Sequence, residues 1–318
     1  MTIGHHLDAL YGLPAYTFPG VKHRPRPVEP DAVAWRVTGD VYDADENWTD
    51  AFARFCATVE TTRVRALIVG AWEEAYDTDP SAVIEALTAA RDRFPALRAL
   101  FLGDMVMEEC EISWINQTDV TPLLAAFPRL EELGVRGGSG LRFPALSHDA
   151  LRRLVIETGG LPAEVVRGIG GSDLPALEHL DLWLGTPEYG GDSEATDLEP
   201  ILSGGRLPNL RHLALRNSEM QDAVAAAVAS APVVARLEVL DLSMGVLTDE
   251  GAAALLGGQP LTHLKMLDLH HHYLSEPLLE RVRQTLEPAG VEVGLDRGDA
   301  EEDADGDGTV WRYVAVGE

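Results

Sequence analysis

The stretch LEVLDLSMGVLTDEGAAALL, residues 237–256, decides the fold because its period changes halfway along. Leu237, Leu240 and Leu242 fall in the pattern L-x-x-L-x-L. Leu240 and Leu242 are two apart, so both face one side of a short strand. The second half has helical spacing. Thr248 is placed as N-cap, and Asp249 and Glu250 meet the positive end of the helix dipole. A unit this small cannot bury its apolar face alone and must stack on copies of itself.

The copies are present. The same opening recurs with first positions at Val64, Leu97, Leu130, Leu151, Leu177, Leu210, Leu237 and Leu264, at intervals of 33, 33, 21, 26, 33, 27 and 27. FPALRALFL, LPALEHLDL, LPNLRHLAL and ARLEVLDL are near-identical openings. Helical segments fill most intervals: one over 80–94 with Asp79 as N-cap and Pro80 at the first helical position, another over 276–286 with Ser275 as cap and Pro277 early in its first turn. The 21-residue interval leaves no room for a helix, so RGGSGLRFPALS (136–147) should cross as extended chain. The expected fold is α/β: a right-handed leucine-rich-repeat solenoid, or horseshoe, with a parallel concave sheet and convex helices.

Residues 1–62 form the lead-in and capping unit, with Val33, Trp35 and Val37 as a strand and 48–59 as a helix. The eight repeats occupy 63–290. Residues 291–318 form the C-terminal cap: a strand on Val291, Val293 and Leu295, an acidic loop over 296–307, and a terminal strand over 310–316.

The segment 237–256 resembles the ribonuclease-inhibitor-like class of these repeats, in which an Asn follows the strand and satisfies the turn backbone. Gly245 and His272 stand at that place here, and Ser218 follows Asn217 one position late. The phrases GDMVMEECEISWINQTDV (103–120), VRGGSGL, IETGGLP, LWLGTPEYGG and WRYVAVGE go further. They resemble a bacterial, actinomycete-type leucine-rich-repeat family of unassigned function, and the resemblance spans almost the whole chain. It implies a genomic neighbourhood with radical-SAM enzymes and a phosphatase-like hydrolase. It carries no catalytic residue.

Composition narrows the function. With 25 Lys+Arg against 52 Asp+Glu, the chain has a formal charge of −27. That field repels phosphate backbones and anionic lipids. The one basic stretch, Lys22, Arg24 and Arg26, is short. Cys56 and Cys110 are isolated, which excludes a disulfide framework. No apolar run is long enough to span a bilayer, and the first residues carry no signal pattern. A cytoplasmic protein without nucleic-acid or membrane partners is expected.

Strand residues between the leucines face the concavity. Glu157, Trp183 and Arg216 should form one row, with His179, Asp181 and His212 behind it and Arg136, Asp241, Asp268 and His270 extending the face. An exposed Trp flanked by charges of both signs suits a binding hot spot. The expected function is a non-catalytic scaffold or adaptor that uses the concave face and strand-end rim to hold a protein or peptide with a basic surface. The competing class is an enzyme or accessory subunit acting on a peptide or small molecule through Arg136, Glu157, His179, His212 and Trp183. No cofactor motif is present. A metal site is not expected: His270, His271 and His272 alternate faces, and the calcium-loop-like run DADGDG (303–308) has Val314 where a bidentate Glu belongs. Glu108, Glu109 and Glu111, beside Cys110, Trp114 and Asp119, read as a loop that docks a basic partner.

Overall fold

A computed structural model describes residues 3–23, 27–39, 46–306 and 309–317. Arg24 and Arg26 of the basic stretch, and Asp307 and Gly308 of the acidic run, lie outside the described residues.

One sheet of twelve strands organises the molecule, and its spatial order is its chain order. Its strands are β1 (Ala9–Leu10), β2 (Leu13–Thr17), β3 (Ala34–Val37), β4 (Ala66–Val69), β5 (Ala99–Leu102) and β6 (Glu132–Arg136). They continue as β7 (Arg153–Glu157), β8 (His179–Gly185), β9 (His212–Ser218), β10 (Val239–Asp241), β11 (Met266–Asp268) and β12 (Glu292–Gly294). β1 is antiparallel to β2, and every later neighbour is parallel. From β3 onward a helix lies between successive strands: α1 (Trp48–Thr58), α2 (Ser81–Ala89), α3 (Thr121–Ala126), α4 (Ala163–Gly171), α5 (Glu199–Ser203), α6 (Gln221–Val228), α7 (Asp249–Gly257) and α8 (Glu276–Leu286). The exception is the interval between β6 and β7, where residues 136–147 run without a helix as the spacing predicts. They are tied in by the bridges Asn116↔Ser139 and Asp119↔Arg142.

The leucines set the register. Leu67, Leu100, Leu133, Leu154, Leu180, Leu213, Leu240 and Leu267 stand at paired positions on β4 to β11. None is more than 1 % exposed, and all belong to one continuous core shared with the helices. The architecture is α/β, with one long parallel sheet compatible with a leucine-rich-repeat-like solenoid.

Local details largely follow the sequence, with differences at α2, α8 and the terminal strand. Thr248 accepts the Glu250 amide at 3.3 Å, as a cap should, whereas α2 begins one residue later than predicted, with Pro80 at the cap and Asp79 just outside it accepting the Ser81 amide at 2.9 Å. Ser275 makes no side-chain cap; its hydroxyl donates to Asp249 at 2.6 Å instead, tying α8 to the start of α7. The terminal strand is shorter than 310–316. It is β14 (Val310–Arg312), pairing antiparallel with β13 (Glu302–Ala304) outside the long sheet. At the turn position His272 does what asparagine would do. It is fully buried, its Nδ1 accepts the Leu274 amide at 3.1 Å, and its Nε2 donates to the Leu295 carbonyl at 3.3 Å. His148 makes the same pair of bonds, to Leu151 and Phe127.

Candidate functional site

The sheet face turned away from the helices carries the sequence-selected residues, and the register places them in rows. Glu132, Arg153, His179 and His212 occupy paired positions on β6 to β9. Asp241 pairs with Asp268, Arg136 with Glu157, and Trp183 with Arg216. The neighbours expected from the spacing are therefore neighbours in space.

Their exposure differs from expectation, because both terminal segments lie on this face. At one end Leu7, Leu10, Tyr11, Leu13 and Ala15 pack against Ala34, Ala66, Ile68, Ala99 and Phe101. This lead-in is anchored by a charge network. Asp104, fully buried, accepts the Leu7 amide at 3.0 Å and Arg36 Nε at 2.7 Å, and faces Arg136 Nη1 at 3.4 Å. Arg36 also donates to the Leu7 carbonyl, and Arg136 Nε donates to Glu157 at 2.8 Å.

At the other end residues 313–317 cross the strand ends. Their backbone is held by three turn residues in left-handed conformation, His271, Met244 and Asn217. His271 Nε2 donates to the Tyr313 carbonyl, and the Met244 carbonyl accepts the Ala315 amide at 2.8 Å. The Asn217 carboxamide clamps Val316, accepting its amide at 2.9 Å and donating to its carbonyl at 2.6 Å. Ser113 closes the run by donating to the Gly317 carbonyl.

The expectation of an exposed hot spot is thereby corrected. Trp183 does point away from the leucine core, but it is 6 % exposed, packed with Ile112, Met244, Ala315 and Val316. Arg216 lies over its ring at 5.1 Å and pairs with Asp181 through two bonds of 2.9 and 2.6 Å. Arg136, Asp181 and Asp241 are buried as well. Glu157, His179, His212, Arg216, Asp268 and His270 keep partial exposure. Helical and strand periods say which way a side chain points, not which distant segment will cover it.

His179 and His212 stack with ring centroids 3.8 Å apart. Arg153 donates to His179 Nδ1 at 3.1 Å, so the proton of that imidazole sits on Nε2. Burial, with Arg153 and the second imidazole beside it, pulls His179 down to about 2; burial pulls His212 down to about 4 against the attraction of Asp181. In the unfolded chain both take up protons near 6.5. Above that value both states are neutral and the pair is silent; below it the unfolded chain alone takes up protons, so native stability falls with pH. Acidification from pH 7.5 to 5.5 should therefore cost about 2 kcal/mol through this pair. Urea titrations of the chain and of a His179→Gln, His212→Gln double variant at both pH values check it. An equal loss in both proteins would reject the assignment.

Between the lead-in and β5–β7 a cleft of about 290 Å³ remains, lined by Leu7, Leu10, Tyr11, Phe101, Glu132, Arg153, Val155 and Glu157 among others. Glu132 and Arg153 were not singled out by sequence; their place one strand apart at the head of the row was the available signal. Nothing local in the sequence marked Asp104, Tyr11 or the Asn217 clamp. Among the described residues no group of three or more His, Cys, Asp or Glu converges as metal donors, and no helix is long and apolar enough to cross a membrane.

No protein-family model matches the chain, and no curated protein matches it. Among solved structures, the leucine-rich-repeat domain of APL1 aligns at 13 % identity over 86 % of this chain and 77 % of that one, with a TM-score of 0.27, too low to compare folds. The crystal structure of a Bacteroides fragilis protein, a structural-genomics target, aligns at 32 % identity with a TM-score of 0.73, covering 80 % of this chain and 71 % of that one. At that identity and coverage, the chain belongs to the same family as the Bacteroides fragilis protein.

Proposed function

We propose that this protein is a non-catalytic scaffold that binds a protein or peptide, folded as a right-handed horseshoe whose concave side is the helix-free face and whose strand-end rim is the docking edge. The observation that carries this reading is the rim's grip on an extended segment of its own chain. It holds residues 313–317 mainly through backbone atoms, by Met244, Asn217 and Ser113, a mode that tolerates different side chains. Trp114 and Tyr76 stand exposed on neighbouring rim loops, linked by the Asn116 side chain. The charge of −27 favours a partner with a basic surface and disfavours nucleic acid and anionic membranes. The resemblance to a family encoded near radical-SAM enzymes makes such an enzyme, or the phosphatase-like hydrolase, the first partner to try.

Affinity purification of the full chain from its host, followed by binding measurements on variants, tests the proposal. Trp114→Ala should weaken a recovered partner by about 2 kcal/mol. Glu108→Ala with Glu111→Ala should slow association and flatten its salt dependence. Gln284→Ala on α8 should change neither. A partner lost on α8 substitution and retained by the rim variants would reject the docking edge.

The cleft favours a second reading, an accessory or catalytic role on a small molecule or peptide. The imidazoles of His179 and His212, on the strands beyond its Arg153 wall, do not line it and are held far below the range of a base that works near neutrality. Binding suits the cleft better than turnover.

A further inference from the structure

The face around the cleft carries many charges, and most are matched. Asp104 has two arginines, Glu157 has Arg136, and Asp181 has Arg216. Two charges break the pattern. Glu132 and Arg153 sit at paired positions on β6 and β7 and both line the cleft, yet among the described residues neither forms an ion pair within 4.0 Å. The side-chain bond of Arg153 goes to a neutral imidazole, His179, so its guanidinium bonds to no carboxylate. Burial raises the Glu132 carboxyl against the pull of Arg153 and of the Tyr11 amide.

The other polar side chains of the lining are already engaged, Glu157 by Arg136 and the Tyr11 hydroxyl by Glu131, and the remaining side chains are apolar. Leu7 and Leu10 of the lead-in form one wall, and Phe101 and Val155 form the other. Gly134 allows this shape: a Cβ there would stand 2.2 Å from the Phe101 ring, so the glycine lets the ring lie flat over β6. At about 290 Å³ the space is at the small end of ligand pockets, the size for a single small molecule.

We propose that this cleft binds a small zwitterion, an α-amino acid with an apolar side chain, its carboxylate on Arg153, its ammonium on Glu132 and its side chain between Leu10 and Phe101. Adjacent strands stand about 4.8 Å apart. A ligand that carries both charges on neighbouring atoms can therefore bridge two side chains that do not reach each other. A purely cationic or anionic ligand would engage only one of these two half-buried charges. This site is distinct from the rim edge, and its test needs no macromolecular partner.

Isothermal titration calorimetry on the full chain with L-leucine, L-leucinamide and 4-methylpentanoate separates the two charges. L-leucine should bind at least tenfold more tightly than either single-charge analogue. Arg153→Met should abolish the preference for L-leucine over leucinamide while keeping that over 4-methylpentanoate, and Glu132→Gln should do the reverse. Arg153→Lys, which keeps the charge, should retain both preferences and guards against a mere packing effect; thermal melts verify that each variant is folded. No heat from L-leucine at 20 mM with the wild-type chain would overturn the proposal. Leucinamide binding as tightly as leucine would overturn it in favour of a site for cations, and an unchanged leucine-to-leucinamide ratio in folded Arg153→Met would also sink it.

Discussion

Asp104→Ala should destabilise the chain by about 3–5 kcal/mol, the range for breaking a buried ion pair from one side. Asp104 is fully buried and receives three donors: Arg36 Nε at 2.7 Å, the Leu7 amide at 3.0 Å and Arg136 Nη1 at 3.4 Å. Removing the carboxylate leaves two guanidinium groups buried with too little negative charge, because Glu157 alone remains against them. Neither arginine can shed its proton to escape, since guanidinium stays charged at any ordinary pH. The loss should also release the lead-in, whose Leu7 amide would have no acceptor. Hydrogen exchange at Leu7 should therefore accelerate more than exchange in β9. Asp104→Asn, which keeps an acceptor and loses only the charge, should fall between the two. If urea melts place Asp104→Ala within 1 kcal/mol of the parent, the network is not what fastens the lead-in to the sheet.

The contrast between what could and could not be read in advance follows from separation along the chain. The leucine ladder from Leu67 to Leu267 is legible because each strand repeats a period-two signal and each repeat reinforces the register of the next. The stacking of His179 on His212 and the pairing of Asp241 with Asp268 come with that register at no further assumption. The coverings of the sheet do not. Leu7 reaches Asp104 across 97 positions, and Asn217 reaches Val316 across 99. Neither segment has a period that names its partner. Substitution at the turns hid a second feature: His272 satisfies the backbone where asparagine was sought, because imidazole also offers one acceptor and one donor. The same limit governs the candidate site. Direction was legible for Trp183, Arg136 and Asp181, while burial depended on segments far away in sequence.

Trp183→Ala should cost about 3–5 kcal/mol, the range for truncating a large buried aromatic, instead of leaving stability unchanged as an exposed indole would. The ring is 6 % exposed, sits below the Arg216 guanidinium at 5.1 Å, and packs with Ala315 and Val316, which have no other aromatic in their cluster. Its removal leaves a cavity under residues 313–317 and strips Arg216 of a face to lie on, although the bond pair to Asp181 remains. The effect should therefore concentrate on the tail. Amides of Ala315 and Val316 should exchange much faster in the variant, while those of β5, far along the same sheet, should change only with global stability. Trp183→Phe, which refills part of the cavity, should recover more than half of the loss. Such a result would fix the indole as the seat on which the C-terminal segment rests. A loss below 1 kcal/mol with unchanged tail exchange would mean that the segment stands away from the ring in solution, and would return Trp183 to the exposed row in which sequence first placed it.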